Sequence, residues 1–411
     1  MGYSTLLDNR KVSSPHQKPF AIRNMIVPIF VPSLVFVSGE ASLLPILPAT
    51  AEKLGADLPM AGLVAGMVML GTLLFDIPAA TFVHRLGERG AMIAGAFVAS
   101  IAVATAALAT ELWMLAIAML VAGMMASIFG LARHGYMAEM VPVSHRARAL
   151  SMLGGTFRGG AFLGPLAGAW VAEVYGPQEV FWLGAVLCAL AAVFLIVATP
   201  ADKPGTDAPL NIGAVLSVAK QEHKSLLTLG VASAILNLIR TSRSLGLPLW
   251  ALAIGLSPSH ASLYVAIAGG LDFALFYSSG QVMDRFGRRA VALPTLIGLA
   301  TTFALLPFSF DDSTFLTVAL LMSLANALGS GLVMVLGADL APPKQRNEYL
   351  ASFRLLNDMG NAAAPQLISL LTVLVSLSFA FFSMSGLSFI GALIMLRYLP
   401  KNGPAIAPKK F

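Results

Sequence analysis

The sequence predicts an all-α integral membrane protein, a bundle of twelve transmembrane helices in two pseudo-symmetric six-helix halves. Three observations predict it. The 411-residue chain is 57% hydrophobic and 11% charged, with a mean hydropathy of +0.81, whereas soluble domains carry about 25% charged residues. Its apolar residues gather in stretches of about 20, enough to cross roughly 30 Å of hydrocarbon. The chain also repeats itself 200 positions on, at Pro48/Pro248, Gly55/Gly255, Arg85/Arg285, Gly87/Gly287, Arg89/Arg289, Pro142/Pro342, Arg146/Arg346 and Pro165/Pro365. Matched Gly and Pro weigh most, because they fix backbone geometry instead of merely filling space.

The twelve spans fall near 25–48, 60–83, 90–109, 112–137, 149–173, 178–199, 225–249, 260–283, 290–310, 314–338, 349–375 and 376–398. This divides the chain into a tail (1–24), a first half (25–199), a linker (200–224), a second half (225–398) and a second tail (399–411). The last two spans are separated only by a hint of a turn at Ser376. Within the linker, Ile212 to Lys220 is predicted to form a short helix lying in the membrane interface. A duplicated membrane bundle of this kind is the usual architecture of a secondary transporter, with its substrate site between the halves.

Charge gives the orientation. With both termini inside, the tails and even-numbered connections hold nearly all the loop Lys and Arg, and the other side holds only Lys53. This bias puts both termini in the cytoplasm and the protein in the cell membrane. The net charge of +6 then reflects topology and contact with lipid headgroups, not nucleic acid. The polar first 20 residues lead into a span too long for a cleaved signal. The single cysteine, Cys188, allows no intramolecular disulfide and no Cys-rich metal site.

Charges inside spans are costly, about 2.5–3.5 kcal/mol each on insertion scales, so they normally face a cavity or a partner. They are Glu40 in span 1, Asp76 in span 2, Arg158 in span 5, Arg240 and Arg243 in span 7, Asp272 in span 8, and Arg354 and Asp358 in span 11. Spans 3, 6, 9 and 12 have no interior charge, which predicts that every third helix faces lipid. Glu40 and Arg240 are equivalent in the repeat, as are Arg158 and Asp358, and pairing between the halves is the expectation. Glu40 is the leading candidate to carry a proton, because a carboxylate's charge is costly away from water, with Asp272 and Asp358 behind it. The alternative for each is a permanent salt bridge with Arg158, Arg240, Arg243 or Arg354. These arginines are equally candidates to hold an acidic group of a substrate, Arg240 and Arg243 sharing a helix face through their spacing of three. Asp76, and Arg133 with His134 near the inner end of span 4, read as structural.

The loop after span 8 runs Gly280-Gln281-Val282-Met283-Asp284-Arg285-Phe286-Gly287-Arg288-Arg289, and its first-half equivalent keeps Arg85, Gly87 and Arg89 but has Ala80, His84 and Glu88. Span 5 carries Gly160, Gly164, Pro165 and Gly168, small residues every four positions that permit close helix contact. Glu139/Arg146 and Asp339/Arg346 lie at the inner ends of spans 4 and 10.

With these motifs in view, the chain resembles the major facilitator superfamily over nearly its whole length, and its drug:proton antiporter branch in the span 5 motif. The resemblance implies that the Gly280–Arg289 loop is a cytoplasmic latch between the halves, with Glu139, Arg146, Asp339 and Arg346 as its partners. It also implies a monomer, surrounded by lipid, that exports small organic molecules against a proton gradient by alternating access. Met119 stands four residues before Gly123, where many exporters carry a basic residue. An importer or uniporter of sugars, organic acids or peptides, or a sensor without transport, are the other readings. No nucleotide loop, metal cluster or nucleophile–base motif points to an enzyme or to ATP as the energy source.

Overall fold

The computed structural model describes residues 26–141, 143–200 and 212–400, and their regular structure is entirely helical. Nine helices among the described residues are long and apolar enough to cross a membrane. One of them, Leu58–Ala107, has 50 residues, about 75 Å at about 1.5 Å per residue and so twice a bilayer's need. It comprises α3 (Leu58–Ala65) and α4 (Met67–Ala107), and α4 is broken at Gly87, whose φ of 72° and ψ of 165° are open only to glycine. Spans 2 and 3 are thus one helix folded at a single residue. Two further helices have the length without the apolar composition, α6 (Val143–Val174) and α15 (Arg346–Leu374). They carry Arg158 on one side and Arg354 with Asp358 on the other. Dividing the double helix and including these two gives twelve segments of crossing length.

The first half is completed by α1 (Val31–Leu43), α2 (Leu47–Lys53), α5 (Leu112–Met140) and α7 (Glu179–Ala198). The short α8 (Ile212–Gln221) and α9 (His223–Ser225) follow. The second half adds α10 (Val231–Ala253), α11 (Pro258–Phe286), α12 (Arg289–Leu305), α13 (Asp312–Leu328), α14 (Leu332–Leu340) and α16 (Leu377–Tyr398). The interfacial helix expected at Ile212 is α8, held to α15 by the Ser352 hydroxyl donating to the Val215 carbonyl. Ser376 does form the last turn, its side chain accepting from the Phe379 amide to cap α16.

Two spans expected to be continuous are interrupted. Span 1 breaks between Leu43 and Leu47, where Pro45 and Pro48 lack amide donors and crowd the preceding turn. Span 10 breaks at Gly329-Ser330-Gly331, with Gly331 at a φ of 78°. Such a break is tolerated at membrane depth only where its freed backbone finds partners or lines a cavity.

Close packing follows the glycines. A Cβ on Gly164 would overlap the Ser38 carbonyl, and one on Gly160 would lie 2.7 Å from Val37, so the small-residue stripe of α6 is the surface on which α1 rests. Gly360 repeats this in the second half, where α15 meets the backbone of α10 at Ala234. That seam is reinforced by Ser233 and Asn237 donating to Asn357 and by Thr241 donating to Asn361, hydrogen bonds that lipid cannot compete for. The halves meet along α6 with α11, and along α3 and α4 with α15. Toward the end of the bundle away from Gly87 and Gly287, Ser262 donates to the Pro165 carbonyl at 2.9 Å and Ser369 to the Pro59 carbonyl at 2.8 Å. Phe97, Ile101, Val186, Val193, Val197, Ile297, Phe389 and Leu393 are exposed on spans 3, 6, 9 and 12, the surface expected to face lipid.

At the outer turn into α13, the Thr314 amide and hydroxyl hold the Asp311 carboxylate below its ordinary range. Because this pKa is depressed, the cap contributes above the ordinary carboxylate range and is lost as pH falls through the lowered value. Amide exchange at Ser313 and Thr314 is expected to accelerate in acid relative to Asp311→Ala, in which both amides exchange fast throughout. Identical profiles for the two proteins would remove the cap.

Candidate functional site

Between the halves lies a cavity of about 660 Å³, walled by α1, α4, α5 and α6 from one side and α10, α11, α13 and α15 from the other. This is the size of small-molecule sites, roughly 300–1,000 Å³. Its charges sort into three clusters.

The first is in the second half. Arg243 Nη2 donates to Asp272 Oδ2 at 2.6 Å, and its Nη1 to the Ser323 hydroxyl, also at 2.6 Å. Asn326 donates to both Asp272 oxygens, at 3.0 and 3.1 Å, so this carboxylate is fully engaged. Arg240 is held by the Gly329 carbonyl at 2.6 Å, an acceptor that the break in span 10 frees. A Cβ at Gly329 would collide with this guanidinium at 2.7 Å. Arg158 reaches over from α6 and lies on the Phe276 ring, 5.9 Å from its centroid. Arg240 is within electrostatic range of Arg158, Asp272 and Arg243. Three guanidinium groups therefore face one carboxylate, and Arg240 Nε and Arg243 Nε are buried without acceptors.

The second cluster is Glu40 with Arg133. The cation acting on Glu40 is Arg133 of α5, which is buried and packed over Phe129, itself stacked on Phe36. The expected Glu40–Arg240 pair is thus not formed, and neither is Arg158–Asp358. Pseudo-symmetry puts equivalent residues on opposite walls of the cavity; Glu40 and Arg240 meet other groups of their own halves, and Asp358 pairs within its own helix.

The third cluster joins the halves. Arg354 donates to Asp76 Oδ1 of α4 at 3.1 Å and to Asp358 Oδ2 of its own helix at 3.3 Å. Ser127 donates to Asp76 Oδ1 at 2.9 Å, and Asn361 to Asp358 Oδ1 at 3.2 Å. Asp76 and Arg133, read from sequence as structural, therefore belong to the charged interior. Asn326, Ser127 and Asn361 were missed altogether. An uncharged amide or hydroxyl in a span carries no signal until its charged neighbour is known.

Away from the cavity, the two inner loops share a backbone turn at Gly87 and Gly287, with φ of 72° and 86°. Gly280 is unlike them, a helical residue with open space beside it. Arg89 caps α7, donating to the Leu195 and Ile196 carbonyls, where a cation suits the helix dipole. Arg288 pairs with Asp339 at 3.0 Å, tying the second loop to α14 in its own half. Arg85, Asp284, Arg285, Glu139 and Arg346 are exposed, and Arg289 is half-buried at the start of α12. The Arg146 side chain, like Pro142, lies outside the described residues.

Comparison with known proteins agrees with this architecture. The chain is 24% identical over 316 residues to the multidrug resistance protein MdtH of Klebsiella pneumoniae (strain 342), covering 76% of this chain and 77% of that protein. It is 25% identical over 168 residues to an uncharacterised MFS-type transporter of Mycobacterium tuberculosis, where the match spans 24% of the relative's length. A crystal structure of a POT family transporter in complex with 5-aminolevulinic acid superposes with a TM-score of 0.76 at 14% identity, covering 92% of this chain and 96% of that one. The profile described as Major Facilitator Superfamily matches residues 29–268 and 229–411. A two-fold bundle with a charged cavity between its halves, matched by that profile in both, is a multi-pass membrane protein, and the chain belongs to the major facilitator superfamily.

Proposed function

We propose that this protein is a proton-coupled secondary transporter of the cell membrane, exporting small organic molecules by alternating access of the central cavity. The observation that carries the reading is the cavity itself, which combines a small-molecule volume between the halves with carboxylates that face it. Asp272 is engaged by Arg243 and Asn326, which favours Glu40 and Asp358 as the groups that take up and release protons. Protonation of Glu40 removes its attraction for Arg133, and loss of the proton restores it. The name of MdtH supports export as the direction. The Lys and Arg distribution supports cytoplasmic termini.

The excess of positive charge at Arg158, Arg240 and Arg243 favours cargo with an acidic group, held by the guanidinium atoms that lack acceptors. The sequence, which shows similar numbers of acids and bases in the spans, gives no such preference. It arises because Asp76 and Asp358 are drawn away to Arg354.

The test uses inside-out vesicles with an acid interior, a pH dye, and a panel of amphiphilic carboxylates and zwitterions. Addition of a transported compound is expected to dissipate the gradient in wild type and not in Glu40→Gln. Dissipation in both would remove Glu40 from coupling. Compound uptake that ignores the gradient would replace the exporter with a uniporter.

A further inference from the structure

Asp76 and Asp358 stand on different halves and share one guanidinium. With all three groups ionised, the cluster carries one net negative charge. The Asp76 side chain is only 8% exposed. Its Oδ1 is occupied by Ser127 and Arg354, but its Oδ2 is buried with no partner. Asp358 sits beside it on the same guanidinium, Asp76 at Arg354 Nη2 and Asp358 at its Nε. A buried carboxylate oxygen with nothing to accept from is costly, and a second carboxylate beside it adds repulsion. Arg354, bridging from one side, neutralises one of the two charges and cannot neutralise both.

We propose that Asp76 and Asp358 share one proton across the interface between the halves, making the α4–α15 junction a proton-binding site. An O–H bond forms on one carboxyl oxygen as water gives up its proton, Arg354 keeps its charge, and the cluster goes from one negative charge to none. The orphaned Oδ2 gains a partner in the same step. Parting the halves at this level breaks the shared hydrogen bond and leaves two hydrated carboxylates, which release the proton. Occupancy and closure of the junction are therefore linked. In an exchange cycle a cationic group on the cargo can replace the proton, so the cluster is neutralised by one positive charge at a time.

The other charged and titratable groups around the pair are accounted for. His134 of α5 lies within range of Arg354 and has Nδ1 on the Gly130 carbonyl at 2.6 Å. Arg133 of α5 faces Glu40 of α1. Arg240 of α10 is held at Gly329. The packed α3 brings no charged residue.

The pair's use in transport rests on the proton-coupled reading above, whereas the proton itself is a property of the resting protein. Infrared spectra of the purified full chain in nanodiscs, without cargo or gradient, test it directly, with Glu40→Gln as the background. A protonated-carboxyl band that shifts in D₂O is expected at neutral pH. One carboxyl's intensity should vanish in Asp76→Asn, equally in Asp358→Asn, and no further in the double variant. A band absent from the start, surviving either single change, or lost in only one of them overturns the shared proton. If the asparagine variants do not fold, Asp76→Glu and Asp358→Glu serve: each should shift the band, and a band unmoved by both overturns the proposal. A silent vesicle assay beside the expected spectra would remove the exporter and leave the pair, and the reverse result would remove the pair alone.

Discussion

Arg243→Gln is expected to cost about 3–5 kcal/mol, because it takes from a buried carboxylate the one cation bonded to it, leaving Arg158 and Arg240 to act on it only from a distance. Asp272 and Arg243 have side-chain exposures of 8% and 13%, and the 2.6 Å contact between them leaves no room for water to substitute. Asn326 would still donate two hydrogen bonds to Asp272, but an amide supplies no charge. Adding Asp272→Asn should recover most of the loss, since a neutral pair no longer needs compensation. The protein carries its own reporter in Cys188, its one cysteine, which is buried against the cavity wall and is expected to gain reactivity toward a thiol dye as the bundle unfolds. A single variant within about 1 kcal/mol of wild type, or a double variant that loses the sum of the singles, would mean the pair is not coupled as its geometry requires.

Gly123→Ala and Gly71→Ala should each be more damaging than their size implies. A Cβ on Gly123 overlaps the carbonyl of Val68, and one on Gly71 overlaps the carbonyl of Leu120, so α4 and α5 touch backbone to backbone at both points. Overpacking typically costs about 1–3 kcal/mol. The upper end applies here, because a helix carbonyl cannot rotate away as a side chain can. Gly154→Ala in α6 is the control: nothing lies within 4 Å of the added carbon. It should gain up to about 1 kcal/mol from helix propensity. The same cysteine assay ranks the three, and equal melting of Gly123→Ala and Gly154→Ala would refute the close approach.

Much of the fold was legible because membranes impose one-dimensional rules. The helical, membrane-spanning character of the chain and the Ser376 turn depend on local sequence, and both reappear in the structure, whereas spans 1 and 10 are interrupted. The Gly160 stripe announced close packing, and α1 is what it packs against. The pairing of charges was not legible. Glu40 was matched with Arg240 because the repeat aligns them, yet α5 supplies Arg133 from a helix whose approach no spacing announces. Asp76 was read as structural for a similar reason: its partner, Arg354, is 278 residues away in sequence. Span 1 was expected to run unbroken to Pro48, although Pro45 and Pro48 stand at the break the structure shows. In span 10 the break at Gly329 became meaningful only with Arg240 placed against it.

The single-residue fold at Gly87 reaches beyond the protein. With no slack between spans 2 and 3, tilting the cavity-lining part of α4 must drag its lipid-facing part along. That outer part is bathed in acyl chains, so any rocking of α4 also stretches or thins the surrounding bilayer, at a fraction of a kcal/mol for each ångström of mismatch. Under the transport cycle proposed above, the thickness and stiffness of the host membrane are expected to enter the turnover rate.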